Sequence, residues 1–383
     1  MKYFVHVSYL MIKKTKKHIS VPALVSFALV SSALLIEANI VVYCACVSLF
    51  AITDIHQKIF LGLWFFALSG GFIAMLFVEK YSANITTRVL YLITAVWTGT
   101  FAYLLMAAVV YDIVNAFVDN SRPIGFILFF GAFLTGVYGV FRAQKIAVTK
   151  IQVSLTNLPA VWKGRTLVWM SDLHLGSIRG KRFSKKVTEL SNSLTPDIVV
   201  IGGDLYDGTQ APDLFTIAQP LEKLVSRYGT LYIAGNHEEF GDSSPFMNAV
   251  KKLGVRILDD EKIEIDGVQI IGLDYSNSAK KENFEHMLSS MHIDTNIPSI
   301  LLKHEPKDLE IAAQAGISFQ ISGHTHNGQQ WPFNHLANLA YKGYGYGLKK
   351  HGTMQVYVSS GIGGWGPPLR VGSTCEIVQI TFV

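Results

Sequence analysis

Charge is scarce in this chain: 16% of its 383 residues are Asp, Glu, Lys or Arg, against 50% hydrophobic, where an ordinary soluble domain is about a quarter charged. That deficit excludes a simple soluble protein, and the length exceeds one typical domain. Cysteine is scarce too. Cys44 and Cys46 sit inside one apolar run and Cys375 lies near the end, which fits neither a disulfide framework nor a zinc-ligand spacing; they read as small core residues. The second half also lacks a basic stripe interleaved with aromatics, so nucleic-acid binding is not expected.

The charge that is present divides unevenly. Residues 1–150 hold 12 Lys/Arg against 5 Asp/Glu and residues 151–383 hold 21 against 23, so the net +5 separates into +7 and −2. In the basic front part, stretches at 58–78, 88–111 and 124–141 are long and apolar enough to cross a hydrocarbon core of about 30 Å as helices. A fourth, from Val21 to Thr53, carries Glu37 and Asn39 near its middle and reads either as one tilted helix or as two short segments meeting at a polar hinge. Glu37 is expected at an interface or against a neighbouring helix rather than as an ion site.

One span in that region makes four in all and puts the amino terminus and the second half on one side; two make five and put them on opposite sides. The charges favour four. Lys13, Lys14, Lys16 and Lys17 flank the first span, Lys80 and Arg88 lie in the second loop, and Arg142, Lys145 and Lys150 follow the last, while the other loops carry only Lys58 and Arg122. By the positive-inside rule the second half faces the cytoplasm of an inner membrane. A cleavable signal peptide is not expected, because no small-residue cleavage site leads into a soluble domain.

Past the spans the pattern changes to short apolar runs at 166–170, 198–201, 230–234, 268–273, 299–302 and 318–321, with helix-like stretches near 182–194, 211–227, 243–253 and 306–315. This alternation predicts α/β layering. Two further strands are expected at 353–359 and 375–382. The organisation read from sequence is a transmembrane helical domain over 1–145, a connector over 146–164 and an α/β domain over 165–383. The connector's amphipathic character and Trp162 suit either a path along the membrane surface or a first strand of the following domain.

Polar blocks follow those runs in order: Asp172-Leu173-His174, Gly203-Asp204, Gly235-Asn236-His237-Glu238, Lys303-His304 and Gly323-His324-Thr325-His326. Carboxylate, carboxamide and imidazole groups suit a pair of divalent cations, and an Asp between two ions can bridge the roughly 3.5–4 Å separation that two-metal hydrolases use. If the segment past Met170 stays extended, Asp172 and His174 project to one side and chelate one ion.

With these blocks the chain resembles the calcineurin-like metallophosphoesterases over about residues 165–383, whose pattern runs DxH, GD, GNH(D/E), H and GHxH. The runs Ser171–Gly176, Gly323–Gln329 and Gly363–Arg370 are similar to the membrane-associated YkuE-like branch, with Asn327 where that branch usually has Gly. The resemblance implies a β-sandwich flanked by helices. It also implies two divalent cations, manganese foremost with iron, zinc or magnesium as alternatives.

Matching family positions place Asp172, His174 and His326 on one ion and Asn236, His304 and His324 on the other, with Asp204 as the bridge and His237 beside the phosphate as general acid or transition-state stabiliser. The implied reaction is in-line attack on phosphorus by metal-activated hydroxide. Glu238 is expected to orient His237 or a ligand, and Asp207 to support Asp204 or its loop. Arg179, Arg370 and Lys303 are candidates for the remaining phosphate oxygens, and Tyr341–Gly347 reads as a substrate-facing loop or a plain turn.

The expected partners are the bilayer and a phosphorylated, lipid-linked substrate such as UDP-diacylglucosamine. The alternatives are a soluble nucleotide or phosphodiester with the spans only as anchor, and a non-catalytic metal-binding sensor or scaffold.

Overall fold

The computed structural model describes residues 21–81, 84–208, 213–239 and 242–383; the basic cluster Lys13–Lys17 lies outside them. The chain forms two compact units that divide at Val140 and Phe141.

In the first unit, α1 (Val21–Leu49), α2 (Ile55–Tyr81), α3 (Ile85–Phe117) and α4 (Arg122–Ala143) are each long and apolar enough to cross a bilayer. The region 21–53 contains one helix, not two segments, because Asn39 is satisfied without a break. Its Nδ2 donates to the Leu35 carbonyl one turn back (2.8 Å), and its Oδ1 accepts from Ser69 Oγ (2.8 Å), which itself accepts from Trp97 Nε1 (3.1 Å). Glu37 is exposed. Helix α3 starts where Asn84 caps the backbone N–H groups of Thr86 and Thr87 at 2.9 and 3.1 Å, satisfying donors that the first helical turn leaves free.

The second unit is built on two six-stranded sheets. The strands are β1 (Ile146–Val153), β2 (Thr166–Met170), β3 (Ile198–Gly202), β4 (Thr230–Ile233), β5 (Arg256–Ile257), β6 (Glu261–Ile265), β7 (Val268–Gly272), β8 (Ser299–Leu302), β9 (Phe319–Ser322), β10 (Gly347–His351), β11 (Met354–Val358) and β12 (Cys375–Phe382). One sheet runs β1-β12-β2-β3-β4-β5 and the other β10-β11-β9-β8-β7-β6.

The near-continuous apolar runs of β2, β3 and β8 follow from burial on both faces. Leu167 and Trp169 of β2 meet Ile270, Ile300, Leu302, Phe319 and Ile321 in the layer between the sheets. Val168 and Met170 turn the other way, toward Val187, Phe246 and Val250 of the outer helices Lys181–Ser193 and Ser244–Lys252. Leu301 likewise faces Phe284 and Leu309 outside the second sheet. The result is a β-sandwich flanked by helices.

One expected helix breaks, and one open alternative is decided. The helix expected over 211–227 is broken, with Leu214–Ala218 helical and Gln219–Lys223 in a tighter 3-10 turn, because Pro220 cannot continue an α-helical bond ladder. Of the two readings of residues 146–164, a strand forms: β1 pairs parallel with β12. Trp162 is fully buried, donating to the Ile265 carbonyl (2.8 Å) and packing edge-on against Phe382.

Candidate metal centre

The polar blocks follow the carboxyl ends of β2, β3 and β4 in one sheet and of β8 and β9 in the other. At these ends the chain reverses sharply. Asp172, His174, Asp204, His324 and His326 all have positive φ, between 47° and 70°, where a non-Gly residue costs about 1–3 kcal/mol. The expected extended continuation past Met170 is therefore not formed. Asp172 and His174 still reach one spot, but through a left-handed turn, a region that Asp and His enter more readily than most residues. Asn327 also lies there, at φ 48° and ψ 43°, which suits Asn nearly as well as the Gly usual in the YkuE-like branch.

Close approach needs small residues beside the carboxylates. At Gly203, with φ +87°, a Cβ would fall 2.6 Å from His304 Nδ1; at Gly323 it would fall 2.4 Å from Asp172 Oδ2.

Three clusters of donor atoms result, each within 4.8 Å: Asp172 with His174 and His326; His174 with Asp204 and His237; and Asp204 with His304 and His324. Asp204 Oδ2 lies 3.3 Å from His304 Nε2, 3.8 Å from His174 Nε2 and 4.0 Å from His237 Nε2. His174 and His326 face each other through Nε2 at 3.2 Å, and Asp172 Oδ1 is 3.7 Å from His326 Nε2 and 4.0 Å from His304 Nε2. Asn236 Oδ1 is 2.8 Å from His324 Nδ1.

Neighbouring backbone fixes two rings. His304 Nδ1 meets the Gly202 carbonyl at 2.8 Å and His237 Nδ1 meets the Asp207 carbonyl at 2.9 Å. Because a carbonyl only accepts, both Nδ1 atoms donate, and in each neutral ring Nε2 is the unprotonated nitrogen.

The electrostatics fit a cation. Burial acts to raise Asp204, but the imidazoles of His304, His237 and His174 outweigh it and hold the carboxyl well below its ordinary range. Burial pushes Asp172 up to about 6 against the pull of His304. Burial, then the neighbouring His237, lowers His174; burial, then His174 and Arg370, lowers His326; burial and His304 bring His324 down to about 4. Those rings are kept neutral, as ligands must be. His304 goes the other way, up to about 10, because Asp204 and Asp172 overcome its burial.

Its Nε2 is buried 3.3 Å from Asp204 Oδ2 without an aligned hydrogen bond, so the carboxylates favour positive charge at that nitrogen, which a bound ion would supply in place of a proton. A set of carboxylates, imidazoles and a carboxamide with no thiolate suits hard-to-borderline divalent ions.

The remaining expected residues lie as follows. Glu238 is fully buried and accepts from the backbone N–H groups of Asp204 (3.0 Å), Tyr206 (2.9 Å) and Gly235 (2.9 Å); it ties the β3 and β4 loops together. Asp207 contributes its carbonyl to His237, as above. Arg370, expected at phosphate, is fully buried and spends its guanidinium on the carbonyls of His326 (2.7 Å), Ser360 (2.8 Å) and Gly363 (2.8 Å), because a buried cation requires acceptors.

Arg179 donates to the Gly364 carbonyl at 2.6 Å. Lys303 is also buried, bonded to the Glu305 carbonyl (2.8 Å) and lying over the Phe284 ring. In the Tyr341–Gly347 loop, Tyr341 packs edge-on to His324 and donates to Glu305 at 3.1 Å, and Thr325 Oγ1 holds the Gly345 carbonyl at 2.7 Å.

Three neighbours escape sequence reasoning. Glu305 lies 3.6 Å from His324 Nε2; its position directly after His304 was the available signal. Tyr275 stacks on His324 and meets His304 edge-on, with no motif to mark it. Trp365, inside the Gly363–Arg370 run, has its ring 5.9 Å from that of His237 and remains 53% exposed.

Residues 165–328 match the family model described as calcineurin-like phosphoesterase. An uncharacterized metallophosphoesterase of Helicobacter pylori strain J99 is 35% identical over 266 residues, covering 68% of this chain and 70% of its own. A bovine transmembrane protein with metallophosphoesterase domain is 34% identical over 257 residues, 62% of this chain and 57% of that one. The Bacillus subtilis metallophosphoesterase YkuE is 29% identical over 267 residues, 64% and 90% respectively.

Proposed function

Since this chain belongs to the calcineurin-like metallophosphoesterases, metal-dependent phosphoric ester hydrolases, and carries membrane-capable helices, we propose that it hydrolyses a lipid-linked phosphoester or pyrophosphate at the bilayer surface. UDP-diacylglucosamine is the sharpest candidate of that class. The observation that carries the reading is Asp204: its carboxylate belongs to two donor clusters at the joined ends of two sheets, in a chain whose other unit is apolar helix.

Asp172, His174 and His326 would hold one divalent ion, Asn236, His304 and His324 the second, and Asp204 both. When bound, such ions supply Lewis-acid neutralisation of phosphoryl charge and acidify water; manganese is the metal proposed. The protein's own part is positional and protonic. Glu238 and Arg370 hold the loops that present the donors. His237, with Nδ1 committed to the Asp207 carbonyl, presents Nε2, which in the imidazolium form would give its proton to the leaving oxygen and return to the neutral ring. A cytoplasmic head follows the positive charges at Lys80, Arg88, Arg142, Lys145 and Lys150, and the head begins near residue 145, because β1 belongs to its sheet.

The test is turnover by the full-length protein in phosphatidylglycerol nanodiscs with Mn²⁺, against UDP-diacylglucosamine, nucleotides and a soluble phosphodiester. The expected result is preferential cleavage of the lipid pyrophosphate, lost in Asp204→Asn. Equal or better turnover of the soluble compounds would reject the lipid-linked assignment.

A further inference from the structure

The helix α5 (Lys181–Ser193) and its outer-layer neighbours α6 (Leu214–Ala218), α7 (Ser244–Lys252), α8 (Tyr275–Ser278), α9 (Lys281–Ser290) and α10 (Leu309–Gln314) each bury apolar or small side chains against the head. The last helix, α11 (Phe333–Ala340), does not: none of its residues is buried. Yet Phe333, Leu336 and Leu339, at three-residue spacing on one face, are 42%, 60% and 76% exposed. Trp331, two residues before the helix, is 50% exposed. A water-facing ridge of this kind is unfavourable, because it leaves contiguous apolar surface wet.

The ridge is tied to the candidate metal centre at both ends. On the amino-terminal side Trp331 N donates to the Val371 carbonyl (2.7 Å), and Gln329 Nε2 donates to the Trp365 carbonyl (3.1 Å), whose ring neighbours His237. On the other side Tyr341 packs against His324. Lys342 and Lys349 are exposed just beyond it, and the helix sequence Phe-Asn-His-Leu-Ala-Asn-Leu-Ala contains no acidic residue.

We propose that this ridge sits in the interfacial zone of the bilayer, with Trp331, Phe333, Leu336 and Leu339 at the boundary of headgroup and acyl chain and Lys342 and Lys349 against anionic headgroups. Two observations favour lipid over a protein partner. The last membrane-capable helix ends at Ala143 and β1 begins at Ile146, so the head is tethered to the bilayer by a very short link. The mixture of Trp, aliphatic residues and lysine is the chemistry of a membrane interface. An eight-residue amphipathic helix lying in the interface buries its apolar face by roughly 5–10 Å. The consequence is that a phosphorylated headgroup can enter beside Trp365 and His237 while its acyl chains stay in the membrane. That consequence rests on the lipid-linked reading above, whereas the membrane contact does not.

The test uses the full chain in nanodiscs containing phosphatidylglycerol, in a Cys44→Ser background, Cys46 and Cys375 being buried. Leu336→Cys and Leu339→Cys, both at exposed positions that folding does not need, carry a spin label, with Lys185→Cys on α5 as the aqueous control. Labels at 336 and 339 should be more accessible to oxygen than to a water-soluble nickel chelate, with the ratio reversed at 185. Labels at 336 and 339 that match the control overturn the proposal. Dipolar broadening between labels of two copies in one disc also overturns it, in favour of a protein contact. If the labels sit in lipid while soluble esters remain the preferred substrates, the membrane contact stands and the lipid-linked substrate falls.

Discussion

In the helical unit many large apolar side chains face outward: Phe60, Phe66 and Ile127 are 71%, 73% and 71% exposed. In the head, residues of the same kind, such as Trp169, Ile201 and Phe319, are fully buried, and so are Asp172, Glu238, Lys303 and Arg370. The difference is one of solvent. Lipid accepts apolar surface, so a spanning helix can be apolar all round, with few polar groups such as the Asn39–Ser69–Trp97 chain inside the bundle. Water drives apolar groups inward, and a sandwich with two sheets can then bury charge wherever loop backbone and neighbouring side chains supply partners. Helix α11 is the place where the head follows the first unit's rule.

With the head as the chemical unit and the helices as its anchor, the largest effect is expected at His237. Replacing it with Asn should lower kcat by about 10²–10⁴ while leaving metal content, read by elemental analysis, unchanged. Metal loss in that variant would make His237 a ligand and not a proton donor.

Lys303 sharpens the claim that the head tolerates buried charge at a cost. Burial brings its amine down to about 8, opposed by Glu305, so between pH 8 and about 10.5 the unfolded chain holds a proton that the folded head lacks. Unfolding takes up a proton there, and stability rises with pH across that window by about 3 kcal/mol. The penalty is fully present below pH 8. Denaturation followed by tryptophan fluorescence should lose this rise in Lys303→Met; a profile identical to wild type would locate the charge elsewhere.

The smallest effect belongs to the membrane unit. Ser69→Ala removes the central link between Asn39 and Trp97 and should cost only about 0.6 kcal/mol, the average for such bonds in lipid, with head turnover unaffected. Steric-trapping measurements giving a cost several times larger would mark that chain as a functional site in its own right.

Much of this was legible because the relevant signals are local. Apolar runs longer than a bilayer is thick, and short runs each followed by an Asp, Asn or His block, needed no tertiary knowledge; they set most strands within a residue or two, while the spanning helices extend further than expected and the helices Lys281–Ser290 and Phe333–Ala340 carried no legible signal. Contacts between distant segments were not legible. Glu238 looks like any acid after a turn until the β3 and β4 loops close over it; Arg370 looks like a phosphate ligand until three carbonyls surround it. Tyr275 and Glu305 meet His324 only after separate strands align.

From sequence alone came the membrane helices, the α/β alternation and the polar blocks, because hydropathy period and residue chemistry are carried by each segment independently; the sandwich and the ligand set came through the family resemblance those blocks carry. The folded structure decided how those donors meet: left-handed turns at Asp172, His174, Asp204, His324 and His326, two ring tautomers fixed by carbonyls, and an apolar helix left uncovered beside them. Each depends on where one strand end stands relative to another, and that distance is set by packing between sheets, which no single segment encodes.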